Sequence, residues 1–162
     1  MSKASPIPFE TSHYVRDTCL CLHVQRTARA LARRFDDALR PLDLTSGQFS
    51  LLVSLNRATP PSIGSVASLL AMDRTTLTAA LKPLERRGLV RVSIDVKDRR
   101  SRLLKLTAKG RALLSRAVPI WEAAHVAVEK RLANGDPQRF RTDLYALSES
   151  TANRAPARAQ RA

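Results

Sequence analysis

Acidic residues are scarce in this chain of 162: 14 Asp and Glu stand against 28 Lys and Arg, a formal net charge of +14. Such an excess is unfavourable for a compact protein unless polyanions are its partners. Nucleic acid is the first candidate and an anionic membrane surface the second. Cysteine is nearly missing as well. The two present, Cys19 and Cys21, make no disulfide framework and stand too close to bridge each other within a regular helix. No phosphate-cradling loop, metal motif or nucleophile elbow occurs, which argues against an enzyme and leaves no cofactor to expect. A zinc site from Cys19, Cys21 and His23 fits poorly, because at helical spacing Cys19 and His23 share a face while Cys21 points elsewhere. No run approaches the roughly 18–20 apolar residues of a membrane span. The opening MSKASPIPFETS lacks the apolar centre of a signal peptide. Together these absences fit a soluble cytoplasmic protein with no membrane partner.

What is present is helical periodicity with one interruption. Residues 1–12, with Pro6 and Pro8, read as an extended arm. Residues 13–43 read as one long helix and its connector. Leu20, Val24, Thr27, Leu31, Phe35, Ala38 and Leu42 form a nearly heptad seam that a small domain cannot bury alone, so a second copy of the chain is the expected partner. Pro41 ends this helix. Thr45 or Ser46 caps the next, over about 47–57, with Phe49, Leu52, Val53 and Leu55 apolar. Ser62 caps a short helix through Met72, with Ile63, Val66, Ala67, Leu69 and Leu70 facing inward.

Asp73 caps the helix that follows, Leu77, Leu81 and Leu84 recur on its apolar face, and Gly88 ends it. Pro83 removes the bond to the Ala79 carbonyl and should kink it. Val90 to Ile94 alternates as a strand, Asp95 to Arg102 is a charged turn, and Leu103, Leu104 and Leu106 make a second strand. Thr107 caps a second long helix to about Ala133, bent at Pro119 and stopped by Asn134-Gly135. Asp136 caps and Pro137 starts a last helix to about Ser150, with Phe140, Leu144 and Leu147 on one stripe. Residues 152–162, with Arg154, Arg158 and Arg161, read as a disordered basic tail. The expected fold is mainly α with a small β-hairpin wing: a winged helix-turn-helix over 44–106, between long dimerisation helices over 13–43 and 107–151.

The wing carries Asp98, Arg100, Leu106, Thr107 and Gly110, which fill all five fixed positions of the DxRxxxxxLTxxG signature. With LERRGLV (84–90) and LTSGQFSLL (44–52), the chain resembles MarR-type transcriptional regulators over about residues 13–150. The resemblance implies a homodimer held by its terminal helices, with double-stranded DNA as partner and usually a repressor's role. It also implies that Arg100 enters the minor groove, oriented by an ion pair to Asp98. Physical chemistry points the same way. A helix in the major groove needs polar groups near its N-terminus, and Arg74, Thr75, Thr76 and Thr78 supply them. Since Thr76 and Thr78 cannot both point as Leu77 does, one of them is structural. Lys82 and Arg86 lie one and two turns further on, suited to phosphates, and Arg99 and Arg102 suit the backbone beside the wing. Two-fold symmetry predicts a pseudo-palindromic operator with half-sites about one turn apart. The charge alone would equally suit a non-specific nucleic-acid binder, which the wing signature disfavours.

Two switching modes stay open. The resemblance implies a small aromatic or phenolic ligand where the first, second and fifth helices meet the reader. By helix membership His23, Arg26, Phe49, Trp121 and His125 could line such a pocket. Alternatively, Cys21 lies near the position of the reactive cysteine in hydroperoxide-sensing members, and Arg16, Arg26 or His23 could favour a thiolate there. Where those members hold the thiolate with tyrosines, this chain offers Gln25, Phe35 and Ser46. The plain alternative is that Cys19 and Cys21 are small apolar residues in a helix interface.

Overall fold

The computed structural model describes residues 7–133 and 135–148. The first residues of the expected arm, the stop residue Asn134, the end of the last helix and the basic tail lie outside the described residues. The chain falls into two compact units, Met1–Ala124 and His125–Ala162. The elements are α1 (Phe9–Thr18), α2 (Leu20–Leu39), α3 (Ser46–Ser54), α4 (Ile63–Leu69), α5 (Arg74–Arg86), β1 (Val90–Ile94), β2 (Arg102–Leu106), α6 (Ala108–Glu129) and α7 (Pro137–Ser148).

The first helix departs from the sequence reading. It starts inside the expected arm, at Phe9, and breaks at Cys19, whose backbone is extended with ψ 103°. Competing local bonds gather at the break. The Thr18 hydroxyl donates to the Tyr14 carbonyl at 2.7 Å, and His23 Nε2 lies 3.2 Å from the Asp17 carbonyl oxygen, which the break leaves without its helical partner. The α2 seam is graded. Leu20 and Val24 are exposed, Leu31 and Phe35 half-buried, and Leu42, in a 3₁₀ turn after the helix, is buried.

The core gathers between α2 and α6. Thr45 caps α3 through a full capping box with Gln48, and Phe49, Leu51, Leu52 and Leu55 turn inward while Val53 stays exposed. Ser62 caps α4, which stops at Leu69 and not Met72, because Ala71 takes a left-handed φ of 49° to turn the corner. That early stop leaves Leu69 exposed, contrary to its expected inward place. Asp73 caps α5, and Leu77, Leu81 and Leu84 are buried on one stripe. The helix runs unbroken through Pro83, and Gly88 follows it with a φ of 68° that costs a side-chain-free residue little.

β1 and β2 pair antiparallel, Val90 opposite Leu106 and Val92 opposite Leu104. This register sends Val90, Leu104 and Leu106 into the core. Leu104 N–H donates to the Pro61 carbonyl at 2.9 Å, which ties the hairpin to the start of α4. The hairpin is then fastened to α6. Thr107 Oγ1 donates to the Gly88 carbonyl at 2.7 Å and accepts the Gly110 N–H at 3.0 Å. A Cβ at Gly110 would stand 2.1 Å from the Leu89 carbonyl oxygen, so only glycine allows this approach. Three signature positions, Leu106, Thr107 and Gly110, are therefore devices for docking α6 on the hairpin.

In the second unit, Asp136 Oδ1 accepts the Arg139 N–H at 2.9 Å and caps α7 as expected. Phe140, Leu144 and Leu147 are exposed on α7. Glu129 accepts from Arg141 at 2.7 Å and lies 3.0 Å from His125 Nε2. The Arg141 guanidinium, with a smaller contribution from His125, holds the Glu129 carboxyl below its ordinary range.

Candidate nucleic-acid interface

The site is built on the two elements that meet the Ser62–Gly64 segment, namely the first turns of α5 and the tip of the wing. Ser62, Ile63, Gly64, Arg74, Thr78, Asp98, Arg100, Ser101 and Arg102 line one groove of about 390 Å³. The rigid supports are the buried face of α5 and the paired register of β1 and β2. Side chains opposite those buried residues must point outward, and Arg74, Thr75, Thr78, Lys82 and Arg86 all do.

The threonines divide as their bonds dictate. Thr76 donates its backbone N–H at 2.7 Å and its hydroxyl to the Asp73 carboxylate. Both bonds stabilise the charged form and hold the Asp73 carboxyl below its ordinary range. Thr78 Oγ1 donates to the Arg74 carbonyl at 2.7 Å. The Thr75 hydroxyl has no intramolecular partner among the described residues. Both residues the sequence sets in competition are engaged, Thr76 by the cap of α5 and Thr78 by the helix backbone.

At the wing, the relation between Asp98 and Arg100 differs from the one the resemblance implies. No ion pair joins them. Asp98 Oδ1 instead accepts the Arg100 backbone N–H at 3.0 Å, and the Asp98 carbonyl accepts the Ser101 N–H at 2.8 Å. The aspartate thus shapes the turn that presents Arg100 and leaves its guanidinium free. Arg102 Nη1 donates to the Arg99 carbonyl at 3.2 Å. Lys82 and Arg86 flank Glu85 on the exposed face of α5. Sequence reasoning missed Ser62, Gly64 and Ser101 as groove residues. The bridge between Ser62 and Leu103 and the Leu104 N–H bond to the Pro61 carbonyl bring that segment to the wing.

Of the expected effector residues in the first unit, Phe49 and Trp121 are brought into contact. Phe49 is buried and stacks on Trp121 with ring centroids 5.9 Å apart, so this pair belongs to the core of the first unit. His23 and Arg26 are exposed on α2, and His125 lies in the second unit. Cys19 is half-buried and Cys21 exposed, with Gln25 Nε2 donating to its Sγ at 3.2 Å. Arg16 is paired with Asp17 at 2.6 Å. The break at Cys19 also removes the regular helix on which the exclusion of a Cys19–Cys21 bridge depended. Among the described residues no three His, Cys, Asp or Glu side chains cluster as a metal site, and no helix is long and apolar enough to cross a membrane.

A helix-turn-helix with a fastened hairpin wing and an outward row of cations defines a winged-helix DNA-binding protein. The MarR family model matches residues 44–101. The transcriptional regulator HosA of Escherichia coli O157:H7 is 35% identical over 100 residues, spanning 60% of this chain and 73% of that protein. The crystal structure of the Mycobacterium tuberculosis transcriptional regulator MosR in complex with DNA is 39% identical. It covers 80% of this chain and 92% of that one, with a TM-score of 0.73. The organic hydroperoxide resistance transcriptional regulator of Bacillus subtilis is 27% identical over 138 residues, 85% of this chain and 92% of that protein. The chain belongs to the MarR family of DNA-binding transcriptional regulators.

Proposed function

We propose that this regulator is a repressor that acts as a homodimer on a pseudo-palindromic operator and leaves it when a small aromatic or phenolic ligand binds. α5 enters the major groove, with Thr75 reading a base edge, and Arg100 enters the adjacent minor groove. Arg74 contacts the DNA from the start of α5, Arg99, Arg102, Lys82 and Arg86 hold the phosphate backbone, and Thr76, Thr78 and Asp98 set the geometry of both elements. The observation that carries this reading is the shared groove: α5 and the wing present unpaired cations together, while the nearby carboxylates of Asp73 and Asp98 are engaged by local donors. The terminal helices over 13–43 and 107–151 form the dimer in this reading, since Tyr14, Leu20, Val24, Val126, Leu144 and Leu147 on them stay exposed in the single chain.

A second reading, oxidation of Cys21 or Cys19 as the switch, is favoured by the exposed Cys21 thiol beside the helix break and by the likeness to a hydroperoxide-resistance regulator. One experiment tests both. DNA flanking the protein's own gene and a random duplex are titrated at physiological salt, alone, with aromatic carboxylates and with an organic hydroperoxide, then again with Cys21→Ser. A preference of about 10³-fold or more for the flanking DNA is expected. Equal binding to both duplexes would make the protein a non-specific binder. Release by the acids alone supports the ligand, and release by hydroperoxide lost in Cys21→Ser replaces it with the thiol.

A further inference from the structure

We infer that Gly64 is a positioning residue, which seats the Arg74 guanidinium against α4 so that Arg74 grips a DNA backbone phosphate and not a base edge. The inference rests on the reading of α5 and the wing as the DNA-binding face, and it reassigns one residue within that face.

Three observations carry it. First, Arg74 is folded back on α4. A Cβ built at Gly64 would lie 3.1 Å from Arg74 Nη2, 3.7 Å from Cζ and 3.8 Å from Nε, so the guanidinium lies along the bare face of the glycine. An alanine at 64 would make the guanidinium give way by a few tenths of an ångström, and a longer side chain would compete with it for the seat. Second, the seat opens into the groove that Arg74 shares with Arg100 and Arg102. Arg74 and Arg100 have no ion-pair partner among the described residues. The one carboxylate lining the groove, Asp98, is engaged by the Arg100 N–H. Third, Arg74 is the first residue of α5, where the helix dipole disfavours a cation and a bound anion would offset the repulsion.

The topology of DNA supplies the ligand. When one element fills the major groove and the next fills the adjoining minor groove, the sugar-phosphate strand between the grooves must pass between the two elements. Here that passage is the groove between α5 and the wing, and the cations along it are Arg74, Arg100 and Arg102. A guanidinium held flat against α4 can meet a phosphate with two parallel donors. Extended from the end of α5 toward the floor of the major groove, it would have to leave this seat.

The test is a double-mutant cycle read by salt dependence. Arg74→Ala, Gly64→Ala and the double variant are titrated against DNA flanking the gene and against a random duplex of equal length, across a range of salt. Arg74→Ala is expected to weaken both duplexes alike and to reduce the slope of log K against log salt by about one. Gly64→Ala should reproduce part of that loss at an unchanged or raised melting temperature. Alanine is the better helix former, and the only close neighbour is the far end of a flexible side chain. In the Arg74→Ala background, Gly64→Ala should then be silent. Relaxed sequence preference with an unchanged slope in Arg74→Ala would make Arg74 a base reader and overturn the inference. An equal loss from Gly64→Ala in both backgrounds would show that Gly64 acts through the fold and not through Arg74. Failure of the unmutated protein to bind either duplex would instead remove the DNA-face reading on which this one stands.

Discussion

Leu77, Leu84 and Leu104 lose all their exposure inside the winged helix, whereas Leu20, Tyr14 and Tyr145 keep 64%, 69% and 70% of theirs on the flanking helices. Both regions follow the same helical periodicity. They differ in what lies opposite. Within residues 44–110 the main apolar stripes face one another: α5 meets α3 and α4, the hairpin closes over α5, and Thr107 and Gly110 fasten α6 to the turn at Leu89. On α1, the first half of α2 and α7, apolar residues such as Tyr14, Leu20 and Tyr145 stay exposed among the described residues. Periodicity therefore reports that a face is apolar, and only the packing decides whether the chain covers it from its own resources.

The contrast can be broken where it is strongest. Leu77→Ala removes a side chain with no exposure at the centre of the reader, and it should cost ~2–5 kcal/mol of stability. Urea unfolding would show this as a lower midpoint at an unchanged slope. A loss below ~1 kcal/mol would mean that the reader does not carry the stability assigned to it. Next comes Leu144→Asp on the exposed stripe of α7, or Leu20→Asp on α2. Neither should unfold the reader, but each should weaken self-association by about tenfold or more, which corresponds to ~1.4 kcal/mol, read by sedimentation. A stable dimer in both variants would remove these faces from the interface.

The smallest effect concerns the cap of α5. Asp73 has its folded pKa lowered by the Thr76 hydroxyl and backbone N–H, so its contribution is present above the unfolded value and is lost as pH falls through the folded one. Below about pH 4, the ordinary range for aspartate, the melting temperature should fall more steeply in the natural protein than in Asp73→Asn. Parallel curves would show that the Thr76 bonds do not couple to folding.

Most of the fold was legible because its signals are local. Ser62, Asp73, Thr107 and Asp136 each cap the helix assigned to them, Thr45 is the one of the two candidates that caps α3, and Gly88 takes the left-handed turn expected after α5. Capping depends on a few neighbouring residues and needs no knowledge of the rest of the chain. The break at Cys19 was not legible, since Cys19 neither favours nor forbids a turn. Local bonds from Thr18 and to His23 compete there with a helical pattern that continues on both sides. The early stop of α4 was hidden for a related reason, because Ala71 is an unusual residue for a left-handed corner.

The candidate site divides along the same line. By itself the sequence determined that α5 and the wing are basic and that Asp98 and Arg100 belong to one motif, because charge and spacing are properties of the chain. Only the tertiary structure decided what those residues do to one another. Asp98 holds Arg100 by its backbone, Thr76 is given over to the cap, and Gly64, in a separate helix, makes the space that Arg74 occupies. These relations depend on distances between elements, and such distances are set when the buried faces of α4, α5 and the hairpin pack together.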